Sequence, residues 1–167
     1  GYMPQDYRMV NATLRENLLM GLGAVGDDAL LEAAKMTGLS SVIATHPKGL
    51  DLVINEGGRG LSGGQRGLVG MTRLLLSKPC IMLLDEPTAS LDQTTESLVM
   101  AAVLRQQVPD SILILVTHRL QLLSAVQRVI VMAQGRIVID GPTAEVVEKL
   151  TSKRPAPVGV KTPAPVE

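Results

Sequence analysis

Two carboxylates, Asp85 and Glu86, directly follow the apolar run Ile81-Met82-Leu83-Leu84 and precede Pro87. An acid at the carboxyl end of a buried strand can hold Mg²⁺ on phosphate oxygens, and a second acid beside it can orient or deprotonate an attacking water. A second apolar run, Ser111 to Val116, ends in Thr117-His118-Arg119, which gives an imidazole the same relative place. Neighbouring positions for these two runs in one parallel sheet bring Asp85, Glu86 and His118 to one edge. Taken singly, the acids also read as solvated loop residues and His118 as a structural histidine; it is the combination that favours a site.

A third stretch, Asn55 to Gly67, holds six glycines in thirteen positions and includes Leu61-Ser62-Gly63-Gly64-Gln65. Glycine lets backbone approach a ligand closely. Ser62 can cap the helix expected over 64–76, whose free N–H groups and dipole favour an anion. The plainer reading is a flexible linker ahead of a capped helix, but a linker has no need of Ser-Gly-Gly-Gln at the mouth of so apolar a helix.

These residues need elements to position them. The 167 residues (17.7 kDa) are one domain's worth of chain. The interior is aliphatic, with two Tyr and neither Phe nor Trp, which suits a buried parallel sheet in an α/β fold. Zero formal net charge and the lack of a basic stripe argue against nucleic acid as a partner. The single Cys80 excludes an internal disulfide and fits a reducing compartment. No run approaches the roughly 18 apolar residues of a membrane span. The chain opens on Gly1 within what reads as an ongoing strand, so a piece of something longer is expected.

In order, Gly1–Met3 reads as a strand end and Pro4-Gln5-Asp6 as a polar loop, where Gln5 on its own is an exposed amide. Thr13 and Glu16 form a capping box for a helix bearing Leu14, Leu18 and Leu19. Asp27 or Asp28 caps a second helix to Met36, ended by Gly38. His46 reads as a surface residue beside a turn. Residues 11–47 are expected to be mostly helical, without strands of their own. The runs at 81–84 and 111–116 read as fully buried strands. Asp92 caps a helix to about Gln107. A short helix (120–125), a hairpin (129–132 and 136–139, turning at Gln134-Gly135) and a last helix from Thr143 to Leu150 follow. From Ser152 the chain is Pro-rich and reads as disordered.

Together the motifs resemble those of the ATP-binding-cassette (ABC) ATPases. Leu61-Ser62-Gly63-Gly64-Gln65 resembles the signature motif, 81–86 the Walker B strand with its catalytic Glu, and Ser90-Leu91-Asp92 the D-loop. His118 resembles the switch histidine and Pro4-Gln5-Asp6 the Q-loop. Five motifs in the family's order span roughly residues 1–150. Glu56-Gly57-Gly58-Arg59-Gly60 and Thr13-Leu14-Arg15-Glu16-Asn17 look most like the exporter branch, in particular the transporters of type I protein secretion. The implied fold is part of a P-loop NTPase (RecA-like) parallel sheet, with a helical signature subdomain at about 11–77 and a tail at 151–167.

Two departures stand out. Position 67 is Gly where exporters usually have Gln, at a helix-propensity cost of about 1 kcal/mol. The 167 residues also contain no Gly-x-x-x-x-Gly-Lys-Ser/Thr, the phosphate-cradling loop that lies upstream of the Q-loop in this family. The resemblance nonetheless implies ATP and Mg²⁺, with two cassettes packed head to tail and a transmembrane domain as further partner at the cytoplasmic face of the inner membrane. It assigns Glu86 and His118 to catalysis, and Asp85 and Gln5 to the metal. Gln5, Ser62, Gly63, Gly64, Gln65 and Asp92 fall to ATP. With the phosphate loop outside these residues, this chain alone is expected to be inactive while its parent is an ATPase. The other readings are a non-transport ABC ATPase and a catalytically inactive interaction module.

Overall fold

A computed structural model describes residues 1–152. They form two compact units, Gly1–His118 and, from Arg119 onward, a second. The expected disorder of the Pro-rich tail falls almost wholly outside the described residues.

The first unit is mixed α/β. Its three-stranded parallel sheet consists of β1 (Tyr2–Met3), β4 (Ile81–Asp85) and β5 (Ile112–Val116) in the order β1-β4-β5. Tyr2 pairs with Leu83, and β4 pairs with β5 from Ile81↔Ile112 to Asp85↔Val116. The two longer strands are therefore neighbours, as the placement of the acids and the histidine requires.

Met82 and Leu84 are buried in one cluster with Leu75 of α4 (Gly63–Ser77) and Val99 and Val103 of α5 (Gln93–Arg105). The opposite face is not covered among the described residues. Ile81, Ile112, Ile114 and Val116 are each about half exposed, at 49–51%. The expectation of fully buried strands is corrected here: residues alternate between faces in any strand, and helices pack on one face only.

Between β1 and β4 lies the helical part: α1 (Leu14–Leu19), α2 (Asp27–Thr37), α3 (Leu39–Thr45) and α4. Leu14, Leu18, Leu30, Leu39 and Met71 are wholly buried there. The Thr13–Glu16 capping box forms as expected, and Gly38 ends α2 in the left-handed conformation with φ 83°. Two details differ. The N-cap of α2 is Gly26, and Asp27, the first residue of the helix, forms an ion pair with Arg15. The region is also not strand-free: β2 (Ala12–Thr13) pairs antiparallel with β3 (Val53–Ile54). Two residues are too few for an alternating pattern to appear in the sequence.

In the second unit β6 (Arg128–Ala133) and β7 (Arg136–Pro142) form the expected hairpin. Gln134 and Gly135 both have positive φ, the condition for a tight two-residue turn. Helix α6 (Thr143–Ser152) follows, and Arg128 pairs with Asp140 through two hydrogen bonds. No helix among the described residues is long and apolar enough to cross a membrane.

Candidate active site

The register of β4 on β5 sets the first part of the site. Asp85 ends β4 opposite Val116, and the Glu86 N–H donates to the Val116 carbonyl at 2.9 Å, so pairing continues one residue past the strand. Two residues beyond Val116, His118 turns back onto Glu86. Its backbone N–H donates to Glu86 Oε1 at 3.0 Å and its Nδ1 lies 2.7 Å from the same oxygen. The Glu86 side chain is 16% exposed and the imidazole 76%. A largely shielded carboxylate thus meets a solvent-facing ring.

Glu86 has φ +46°. A side-chain-bearing residue in that region costs about 1–2 kcal/mol and persists only where its surroundings fix it. Here the strand ladder holds its N–H, Ala89 N donates to its carbonyl at 3.2 Å, and the buried Pro87 follows. Such outliers concentrate where a side chain must be aimed.

Asp85 stands beside it, half-buried, and its carboxylate has no partner among the described residues. A free hard-oxygen ligand at the carboxyl end of a parallel strand fits Mg²⁺, which takes one or two protein carboxylates and keeps several waters. No group of three or more His, Cys, Asp or Glu side chains among the described residues is placed to hold a metal ion by itself.

The second part is the N-terminus of α4. Ser62 Oγ accepts from the Gln65 N–H at 3.1 Å, and Gln65 Oε1 accepts from the Ser62 N–H at 2.9 Å. The Gln65 side chain is therefore spent on the cap, while the N–H groups of Gly63 and Gly64 in the first turn remain for an anion. These glycines have a second reason to lack side chains. A Cβ on Gly64 would sit 2.8 Å from the Ser90 carbonyl oxygen, and one on Gly63 3.3 Å from Ser90 Oγ. The loop after Glu86 thus packs directly against the signature turn.

Gln5, exposed after β1, lines a cleft with Glu86, Gly63, Gly64 and Ser90. Of the residues singled out in the sequence, the fold brings Gln5, Gly63, Gly64, Glu86 and His118 around this small region. Asp92 is engaged differently, since both its oxygens accept from Thr95, one from the N–H at 2.9 Å and one from the hydroxyl at 2.8 Å. The Thr95 N–H and then its hydroxyl hold the Asp92 carboxyl below the usual carboxylate range.

Three features escaped the sequence reading. Glu96 is buried at 3% exposure and accepts from the Thr88 hydroxyl at 2.6 Å. Its spacing of three, four and seven from Val99, Met100 and Val103 is the signal that puts it on the inward face of α5. Asn17, also buried, bonds the backbone of Val10 and Thr13 and so pins the chain that leaves Gln5. Gly70 makes room for Met3 and for the Tyr7 ring, whose hydroxyl accepts from Arg73 at 3.3 Å.

The chain is similar to known proteins. Residues 1–89 match the family described as ABC transporter, and the chain belongs to that family. It is 39% identical over 147 residues to the glutathione/L-cysteine transport system ATP-binding/permease protein CydC of Escherichia coli, covering 88% of this chain and 25% of that one. It is 34% identical over 149 residues to the putative multidrug export ATP-binding/permease protein SAV1866 of Staphylococcus aureus, covering 89% of this chain and 26% of that one. A bacterial Atm1-family ABC exporter solved with ATP bound superposes with a TM-score of 0.81 at 30% identity, over 89% of this chain and 26% of that one. The chain thus spans about a quarter of the length of these relatives, and its relatives are ABC exporters.

Proposed function

We propose that this chain is part of the ATP-hydrolysing domain of an ABC exporter, with Glu86 as the base that prepares the attacking water. The observation that carries this reading is Glu86 itself: a shielded carboxylate at the carboxyl end of a parallel strand, held in a strained backbone conformation and touched twice by His118. ATP supplies the phosphoryl group and Mg²⁺ offsets its charge. Asp85 holds the metal, with Gln5 as its second protein contact. His118 presents an exposed Nε2 edge to the phosphate while Glu86 fixes its Nδ1 side. Ser62, Gly63 and Gly64 offer donors at a helix N-terminus, where the dipole adds to the attraction. Gln65 and Asp92 act indirectly, as helix caps that keep the two loops in shape. Phosphoryl transfer is mostly positioning and charge stabilisation, and this set of groups provides both.

The site needs a phosphate-cradling loop that these residues do not contain, and in the proposed assembly a second cassette packs head to tail so that Ser62 serves the partner's nucleotide. A transmembrane domain, which holds the cassette at the cytoplasmic face of the membrane, completes the assembly, and residues 1–150 are the C-terminal part of the cassette, with 11–77 as the helical subdomain. The likeness to type I protein secretion rests on Glu56–Gly60 and Thr13–Asn17. The relatives are instead a glutathione/L-cysteine transport system and a putative multidrug exporter, so the proposed function is that of an exporter ATPase without a stated cargo.

A fusion of a phosphate-loop segment ahead of Gly1 tests this. Mg²⁺-dependent phosphate release is expected from the fusion and not from the chain alone. It should rise steeply with protein concentration and fall when Ser62 or Gly63 is replaced by Arg. A fusion that binds ATP tightly yet releases phosphate at a rate indifferent to Ser62 and Gly63 contradicts the reading.

A further inference from the structure

The buried acid of α5 has no part in the chemistry described above, yet it lies beneath the loop that carries Glu86. Glu96 is 3% exposed and Thr88 1%, and their 2.6 Å hydrogen bond joins the middle of the loop to the first turn of α5. Burying a carboxylate is costly unless donors meet it, so an apolar residue would be the cheaper choice for mere filling at this position.

The loop's other bonds explain what the acid accomplishes. Leu91 N donates to the Thr88 carbonyl at 3.0 Å and Ala89 N to the Glu86 carbonyl at 3.2 Å. Asp92 then caps α5, with Glu96 N donating to its carbonyl at 2.8 Å. The Thr88 side chain thus anchors the turn inside the protein, two positions from the strained Glu86. Release of that anchor lets the turn relax, and a residue at φ +46° relaxes toward negative φ. The carboxylate would then swing off His118, and Ser90 would leave Gly64.

We propose that the Thr88–Glu96 hydrogen bond is a positioning element that fixes the aim of Glu86 and the seat of Ser90 on the signature turn. The idea rests on Glu86 being the base only for its importance to turnover, not for the geometry it predicts.

The His118 backbone amide reports the geometry directly, because its acceptor is Glu86 Oε1. Amide hydrogen exchange is followed on the 167-residue chain. Ile112 N–H, held by the Cys80 carbonyl at 2.8 Å, is the internal reference for general loosening. Thr88→Val and Glu96→Leu are expected to speed His118 exchange by about tenfold, approaching Glu86→Ala, with Ile112 unchanged. Glu96→Gln, which keeps an acceptor for Thr88, is expected to stay close to the parent. Should Glu96→Leu fail to fold, Thr88→Val decides alone. Unchanged His118 exchange in Thr88→Val, or an equal rise at His118 and Ile112, overturns the proposal. The base assignment fails separately: it would show as undiminished turnover of Glu86→Gln in the phosphate-loop fusion, whatever the amide result.

Discussion

The helical part of the first unit and its parallel sheet are built from the same aliphatic residues but are finished differently. Around α1, α2 and α4 the core closes on itself: Leu14, Leu18, Leu30 and Leu39 reach zero exposure with partners supplied by neighbouring helices. Along β4 and β5 only Met82 and Leu84 are buried, while Ile112, Ile114 and Val116 face outward about half exposed. Equal hydrophobicity therefore does not mean equal burial. The difference shows where stability resides and where a further surface could add: the signature turn is presented by the closed region, and the acids by the edge of the open one.

The largest effect that could break this contrast is on folding. Leu18→Ala is expected to cost about 2–5 kcal/mol, since it empties a closed core. Ile114→Ala, at a half-exposed position, is expected to cost less than about 1.5 kcal/mol. Denaturant midpoints of the two variants measure the gap, and similar losses would mean the sheet is as well packed as the helices. Ile114→Lys sharpens the same point: it should lower self-association in sedimentation experiments with little change in stability, because the open face is the adhesive one.

Next in size are the glycines that join the regions. Gly64→Ala forces the Ser90 carbonyl away from a 2.8 Å approach and is expected to cost about 1–3 kcal/mol. Gly67→Ala, a turn further along α4 with nothing within 4 Å, is expected to add about 0.5–1 kcal/mol of stability through helix propensity. Thermal melting of the pair checks the opposite signs.

The smallest effect is on acid sensitivity. Asp92 has its folded pKa lowered by the Thr95 N–H and hydroxyl, from an ordinary value of 3.8. A lowered acid stabilises above its unfolded value and loses that contribution as pH falls through the folded one. Asp92→Asn should therefore flatten the loss of α5 below about pH 4, followed by amide exchange of Thr95 and Glu96. An unaltered acid limb would assign the sensitivity elsewhere.

Much of this was legible in the sequence where a local rule decides. The Thr13–Glu16 capping box, the Ser62 and Asp92 caps, the Gln134-Gly135 turn and the strand end at Val116 each follow from a few adjacent residues. The meeting of Glu86 and His118 needed one more step, the adjacency of two apolar runs in a parallel sheet, and the structure has that adjacency. What stayed hidden depends on distant partners. Asp27 reads as a cap until Arg15 is found beside it, and Ala12-Thr13 does not read as strand until Val53-Ile54 pairs with it. Gly64 reads as a ligand-facing glycine, and its packing against Ser90 is visible only in three dimensions. Which side of β5 is exposed is not marked in the sequence either, because Ile112 to Val116 is apolar at every position.

The most direct test of the central reading separates binding from turnover at Glu86. In the phosphate-loop fusion, Glu86→Gln keeps the shape of the side chain and leaves Asp85 for the metal, but removes the base. ATP affinity by calorimetry should stay within about threefold of the parent, while phosphate release falls by about 100-fold or more, the scale of general-base catalysis. Near-normal release from Glu86→Gln, with ATP still bound, would place the base on another residue and contradict the account.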